Sequence, residues 1–151
     1  MARIRMKQKK YELANEHFKS LYKEIKKNPY YEFLYYYERA FYYEALQKEQ
    51  KQLLSLQKAI EIQDSPAKLR NLAYFELGKI YLYKKKDSQK AIQMLIKTEQ
   101  SIQALDPDSI RTKVQCYEML ADAYRANKDD AAANRAQDEA ERTREILDRI
   151  A

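Results

Sequence analysis

The chain has 151 residues, enough for about one domain, with one glycine, three prolines and an abundance of the good helix formers Lys, Glu, Gln, Ala and Leu. The single cysteine, Cys116, excludes an internal disulfide and a cysteine-based zinc cluster, and the single glycine excludes a glycine-rich nucleotide-binding loop. The net charge is +6, and residues 1–70 hold 15 Lys and Arg against 9 Asp and Glu. Because the N-terminus lacks the apolar core of a signal peptide and no run of about eighteen apolar residues occurs, we expect a cytoplasmic protein without a membrane partner.

Hydrophobic periodicity predicts an all-α fold. The three prolines mark boundaries between elements, because the residue before a proline disfavours the helical conformation. Aspartates and serines beside Pro66 and Pro107 are typical N-caps. The predicted helices, in chain order, cover residues 6–27, 30–47, 50–63, 67–84, 88–104, 109–126 and 130–149.

A repeated pattern places a small residue between two tyrosines on three of these helices. In a helical hairpin the small residue lets two backbones approach, and residues four before and three after it share its face. The pattern therefore predicts that these tyrosines pack in the core. The copies are Tyr36/Ala40/Tyr43, Tyr74/Gly78/Tyr81 and Tyr117/Ala121/Tyr124.

The middle copy, "YFELGKIY", continues to Ala91, Leu95 and Pro107 at spacings that resemble the tetratricopeptide-repeat family. The third copy, "YEMLADAY", is similar. The first copy, "YYERAFYY", departs from the pattern because Arg39 stands where the other two copies have leucine.

The resemblance implies antiparallel helix pairs stacked as a right-handed superhelix in one domain, 1–151. Residues 6–27 would be a lone second helix, followed by repeats at 30–66 and 67–107 and by a third repeat with its cap at 109–149. The repeats are longer than the family's unit. In this respect they are similar to the tetratricopeptide-like domains of bacterial peptide-sensing regulators.

In this family the first helix of each pair lines a concave binding surface. The resemblance therefore implies a non-enzymatic adaptor that binds a protein or short peptide. A sensor domain of a bacterial peptide-responsive transcriptional regulator is one alternative. Nucleic-acid binding through the basic N-terminal half is another. The implied binding residues are Leu34, Tyr37, Phe41, Leu72, Phe75, Lys79, Tyr83 and Arg125.

No catalytic, metal or cofactor site is expected. His17 has no nucleophile at a spacing that one helix could align, and Cys116 is expected to be a small buried hydrophobe. The last helix carries a stripe of small residues that would either cap the stack or form a homodimer interface. The stripe consists of Ala133, Ala136, Ala140, Thr143 and Leu147, and it is followed by Ile146 and Ile150.

Overall fold

The computed structural model describes residues 11–25 and 28–150, so the parts of the predicted helix 6–27 at 6–10 and 26–27 lie outside the described residues. The described residues form α-helices and contain no strand, which confirms the all-α prediction. The helices are α1 (Tyr11–Glu24), α2 (Pro29–Ala45), α3 (Glu49–Ile60), α4 (Ala67–Lys79), α5 (Ser88–Ser101), α6 (Pro107–Ala126) and α7 (Asp130–Ile150).

Side-chain caps explain where several helices begin. Asn28 accepts a hydrogen bond from the Tyr30 N–H at 2.9 Å, and Asp106 accepts one from the Ser109 N–H at 3.0 Å. A proline follows each cap at the first helical position, where its missing N–H costs nothing. The predicted boundary at Asp106 is confirmed.

The contacts divide the chain into an N-terminal unit, Met1–Ala73, and a C-terminal unit, Tyr74–Ala151. In the N-terminal unit α1 packs on α2, and α2 packs on α3. Phe33 and Leu56 are fully buried there, and so is the small residue Ala40. The predicted repeat boundaries and the superhelix stay predictions.

In the C-terminal unit α5 packs against α6, and α6 packs against α7. The other two small residues of the repeated pattern, Gly78 and Ala121, are buried here. Four residues of the predicted stripe on α7 are buried and Leu147 is half-buried, whereas Ile146 and Ile150 are exposed. The buried residues of the stripe are not accessible to a second copy of the chain. A homodimer through α7 stays a prediction.

A π-helical segment, Ile80–Lys84, follows α4. The Lys85 N–H donates to the Ile80 carbonyl oxygen at 2.9 Å, which is the i to i−5 bond of the wider π turn. Three consecutive residues, Ile80, Tyr81 and Leu82, are buried, and Tyr83 is exposed. The sequence pattern predicted one continuous α-helix through this region and did not indicate the π turn.

The prediction that the patterned tyrosines are core residues is wrong for most of them. Tyr81 is buried, but Tyr36, Tyr43, Tyr74, Tyr117 and Tyr124 are only half-buried. A tyrosine carries a polar hydroxyl that needs a partner when it is buried, and several of these half-buried rings contact polar side chains. Lys58 lies over Tyr36, Arg39 donates a hydrogen bond to Tyr43, and Tyr117 donates one to Glu99.

Candidate functional site

The predicted binding residues of α2 form an aromatic row. The Tyr37 ring stacks on Phe33 with a centroid separation of 5.4 Å and meets Phe41 edge-on at 5.0 Å. Phe41 also packs against the buried cluster that Ala14 and Phe18 form on α1. Leu34, Tyr37 and Phe41 are half-buried, so part of each side chain remains accessible to solvent.

The remaining predicted residues differ in their exposure. Leu72, in the N-terminal unit, is 43% exposed. In the C-terminal unit Phe75 is buried, and the Lys79 ammonium group lies 4.5 Å from its ring centroid and 3.4 Å from Glu76. Lys79 therefore already has partners, and Phe75 offers little surface to a ligand.

Tyr83 and Arg125 both lie near acidic residues of α6. Burial raises the pKa of the Tyr83 hydroxyl, and the neighbouring carboxylates of Asp122 and Glu118 raise it further. Arg125 is paired with Asp122 at 3.3 Å. Since Tyr83 is 51% exposed, the π segment and α6 together present an accessible aromatic ring beside charged groups of both signs.

A second arrangement, which sequence reasoning missed, surrounds Arg39 on α2. Its guanidinium donates hydrogen bonds to the hydroxyls of Tyr35, at 2.5 Å, and Tyr43. It also lies over three aromatic rings, with distances to the centroids of 5.1 Å for Tyr35, 5.2 Å for Tyr43 and 5.8 Å for Phe18. Arg39, noted in the sequence only as a departure from the leucine pattern, is thus the centre of an aromatic cluster.

Two adjoining cavities open beside Arg39, with volumes of about 440 and 300 Å³. Both are lined by Tyr22, Tyr35 and Arg39, and we refer to them as the Arg39 cavities. The larger extends along α1 and the smaller extends between α2 and α3. A sequence pattern could have indicated this cluster. Tyr35, Arg39 and Tyr43 stand at successive helical turns, and Lys51 and Lys58 follow seven residues apart on the next helix.

Among the described residues, the lining of the Arg39 cavities contains five cationic side chains and no carboxylate. None of the five forms an ion pair with a carboxylate among residues 11–25 and 28–150. Burial lowers the pKa of Arg39, but the hydrogen bond to Tyr43 and the interactions with Tyr35 raise it by more, so the net shift is upward. The five cations are Lys19, Lys23, Arg39, Lys51 and Lys58.

The groups that could do chemistry are otherwise engaged. His17 Nε2 lies 2.7 Å from Glu38 Oε2, which joins α1 to α2. Cys116 is buried, as predicted, and burial raises the pKa of its thiol to about 12. Because the thiolate is the nucleophilic form, this cysteine is poorly suited to covalent catalysis near neutral pH. Within the described part of the chain no group of His, Cys, Asp and Glu is arranged to hold a metal ion.

Comparisons with protein-family models, with curated proteins and with solved structures find no match to this chain. Among the helices described here, none has the length and apolar character needed to cross a membrane.

Proposed function

We propose that this chain is a non-enzymatic adaptor that binds a protein or a short peptide on the face formed by the first helices of its pairs. The observation that carries the proposal is the position of Tyr83. This ring is 51% exposed and stands close to Asp122 and Glu118 of α6, as expected if the faces predicted for two successive repeats meet.

The chemistry of this face suits a peptide. A half-exposed tyrosine offers a large apolar contact area at a small entropic cost, and its hydroxyl can hydrogen-bond a peptide backbone. Arg125 and Asp122 can exchange their mutual ion pair, worth about 0.5 kcal/mol at an exposed position, for ligand groups of either sign. The packed helices are ordered before binding, which lowers the entropic cost of association.

In the N-terminal unit the half-buried row of Leu34, Tyr37 and Phe41 and the exposed Leu72 would contribute to the same function. Tyr37 and Phe41 are anchored by ring contacts yet keep accessible surface, which suits residues that a partner would cover. Phe75, Lys79 and their contacts would support the face from within.

The test is affinity capture from a cell lysate in moderate and high salt, with every captured protein then purified and titrated. The variant Tyr83→Ser/Arg125→Gln should lose the ligand that the wild type retains at high salt. A matched control is Tyr30→Ser/Arg111→Gln, because Tyr30 is an exposed tyrosine and Arg111 forms the same i to i−3 ion pair with Asp108.

Circular dichroism would establish that both variants are folded. Equal loss of the ligand in both variants, or in neither, would reject the face around Tyr83 as the binding site. Turnover of any substrate by the wild type that disappears in His17→Ala would reject the non-enzymatic class altogether.

A further inference from the structure

The Arg39 cavities lie on a different side of α2 from the predicted binding row. Successive residues of an α-helix are separated by about 100° around its axis, so Arg39 lies about 160° from both Tyr37 and Phe41. A ligand in these cavities would therefore meet α2 on the flank that faces Lys51 and Lys58 of α3, and would leave the Tyr37 flank uncovered.

No carboxylate of the described residues lies within ion-pair distance of the cations of the Arg39 cavities, although Lys58 also lines a neighbouring cavity with Glu32 and Glu61. The two acceptors of Arg39 are neutral hydroxyls, which hold the guanidinium in position without cancelling its charge. Its remaining N–H groups can still donate, because a guanidinium has more donors than these two bonds use. Charge-assisted hydrogen bonds to a carboxylate are about twice as strong as neutral ones, so an anionic ligand would gain most here.

The aromatic rings indicate which kind of anion fits. Binding of single-stranded nucleic acid relies on bases that stack on open ring faces. In these cavities cations occupy those faces: Arg39 lies over Tyr35 and Tyr43, and Lys58 lies 5.6 Å from the Tyr36 centroid. Among the described residues that line the cavities, Tyr22 is the ring without a cation over it, and one open ring is too few for successive bases to stack.

Apolar groups complete the surface. Tyr22 is 58% exposed and Leu54 is 46% exposed, and both line the smaller cavity. An apolar side chain of a ligand can cover them while neighbouring acidic groups reach the lysines on either side. This combination of exposed apolar atoms and cations without an ion pair among the described residues matches a peptide that carries acidic residues around an apolar one.

We propose that the Arg39 cavities are a binding site for an acidic peptide segment, with Arg39 as the central carboxylate anchor and the lysines of α1 and α3 as flanking contacts. The site shares no residue with the face around Tyr83, and it adds a second ligand to the proposed adaptor.

The test is a titration of the full chain with a fluorescein-labelled peptide, Glu-Glu-Leu-Glu-Glu, followed by fluorescence anisotropy. The same peptide with Gln in place of Glu should bind too weakly to measure. Lys51→Gln/Lys58→Gln should weaken binding of the acidic peptide by about fivefold, since each exposed cation contributes modestly. Arg39→Gln should weaken it by about tenfold or more, because Arg39 is half-buried.

The matched control is Lys48→Gln/Lys68→Gln. It removes two exposed lysines of the same unit that line neither cavity, and it should leave the affinity unchanged within about twofold. The lysine variants keep the test decisive even if Arg39→Gln perturbs the packing of α1 on α2.

Two results would overturn the proposal. One is equal affinity for the Glu and Gln peptides, or an equal loss in the control and the Lys51/Lys58 pair, since binding would then not depend on this cluster of charge. The other is tighter binding of labelled oligothymidine than of the acidic peptide, with the same dependence on Lys51 and Lys58, which would assign the cavities to nucleic acid.

Discussion

Gly78 lies directly against Leu95 of α5. A Cβ placed on Gly78 would stand 2.7 Å from Leu95 Cδ2 and 2.8 Å from Leu95 Cγ, and Leu95 is fully buried. Close packing therefore favours the only glycine of the chain at this position, because the Leu95 side chain occupies the space that a Cβ would need. This contact explains why the repeated pattern has a small residue at position 78.

We expect Gly78→Ala to destabilise the protein by about 1–2 kcal/mol, although alanine is the better helix former by about 1 kcal/mol. The overlap with Leu95 should outweigh the gain in helix propensity, and urea unfolding would measure the difference. Adding Leu95→Ala should relieve the overlap, so Gly78→Ala should be neutral or stabilising in that background. An equal cost in both backgrounds would show that Leu95 is not the cause.

The ring of Phe18 should control the docking of α1 on α2. It is 4% exposed and meets Tyr42 edge-on at 5.4 Å and Tyr35 at 6.4 Å. Truncating a buried phenylalanine costs about 3–5 kcal/mol, but α1 packs mainly on α2, so we expect Phe18→Ala to release α1 locally.

Hydrogen exchange would then accelerate in α1 and stay slow in α6 and α7. The control is Leu13→Ala, since Leu13 is on the same helix and is 40% exposed. Faster exchange throughout the chain would mean that α1 does not open as a separate element.

The hydrogen bond from the Tyr117 hydroxyl to Glu99 Oε1, at 2.7 Å, joins α6 to α5. Lys113 Nζ lies 3.8 Å from the same oxygen. A hydrogen bond to a charged group contributes about 1.5–3 kcal/mol, so Tyr117→Phe should lower the melting temperature measurably. Tyr124→Phe is the control, because the Tyr124 hydroxyl has no hydrogen-bond partner among the described residues. Similar shifts in both variants would show that the bond to Glu99 contributes nothing.

The buried thiol of Cys116 should make stability fall in alkaline solution. Burial, followed by the nearby Glu99 carboxylate, raises its pKa to about 12 from an ordinary 9.0, while Lys79 lowers it slightly. Below pH 9 the thiol is protonated in both states and has no effect. Above this pH it ionises only in the unfolded chain, so the free energy of unfolding falls by up to about 1.4 kcal/mol per pH unit as the pH rises toward 12.

The measurement is urea unfolding between about pH 8 and 10.5, comparing wild type with Cys116→Ala. Tyrosines and lysines titrate in both proteins, so only the difference in slope reports the thiol. The wild type should lose stability more steeply with rising pH. Parallel slopes would show that the thiol is accessible to solvent in the folded state.

The sequence alone determined the all-α fold and the approximate extent of every described helix, because periodicity, prolines and capping residues act over a few neighbouring positions. It also located the close approach at Gly78, since only a small residue fits between two packed helices.

The tertiary structure decided which rings are buried. The repeated tyrosines share one spacing, yet Tyr36 beside Lys58 and Tyr43 beside Arg39 are half-buried, whereas Tyr81 is buried within the π segment. The tertiary structure also decided the charge of the Arg39 cavities, because their cations come from three helices that are separate in sequence. A net charge can be counted along a chain, but whether a cation finds a carboxylate depends on which helices pack together.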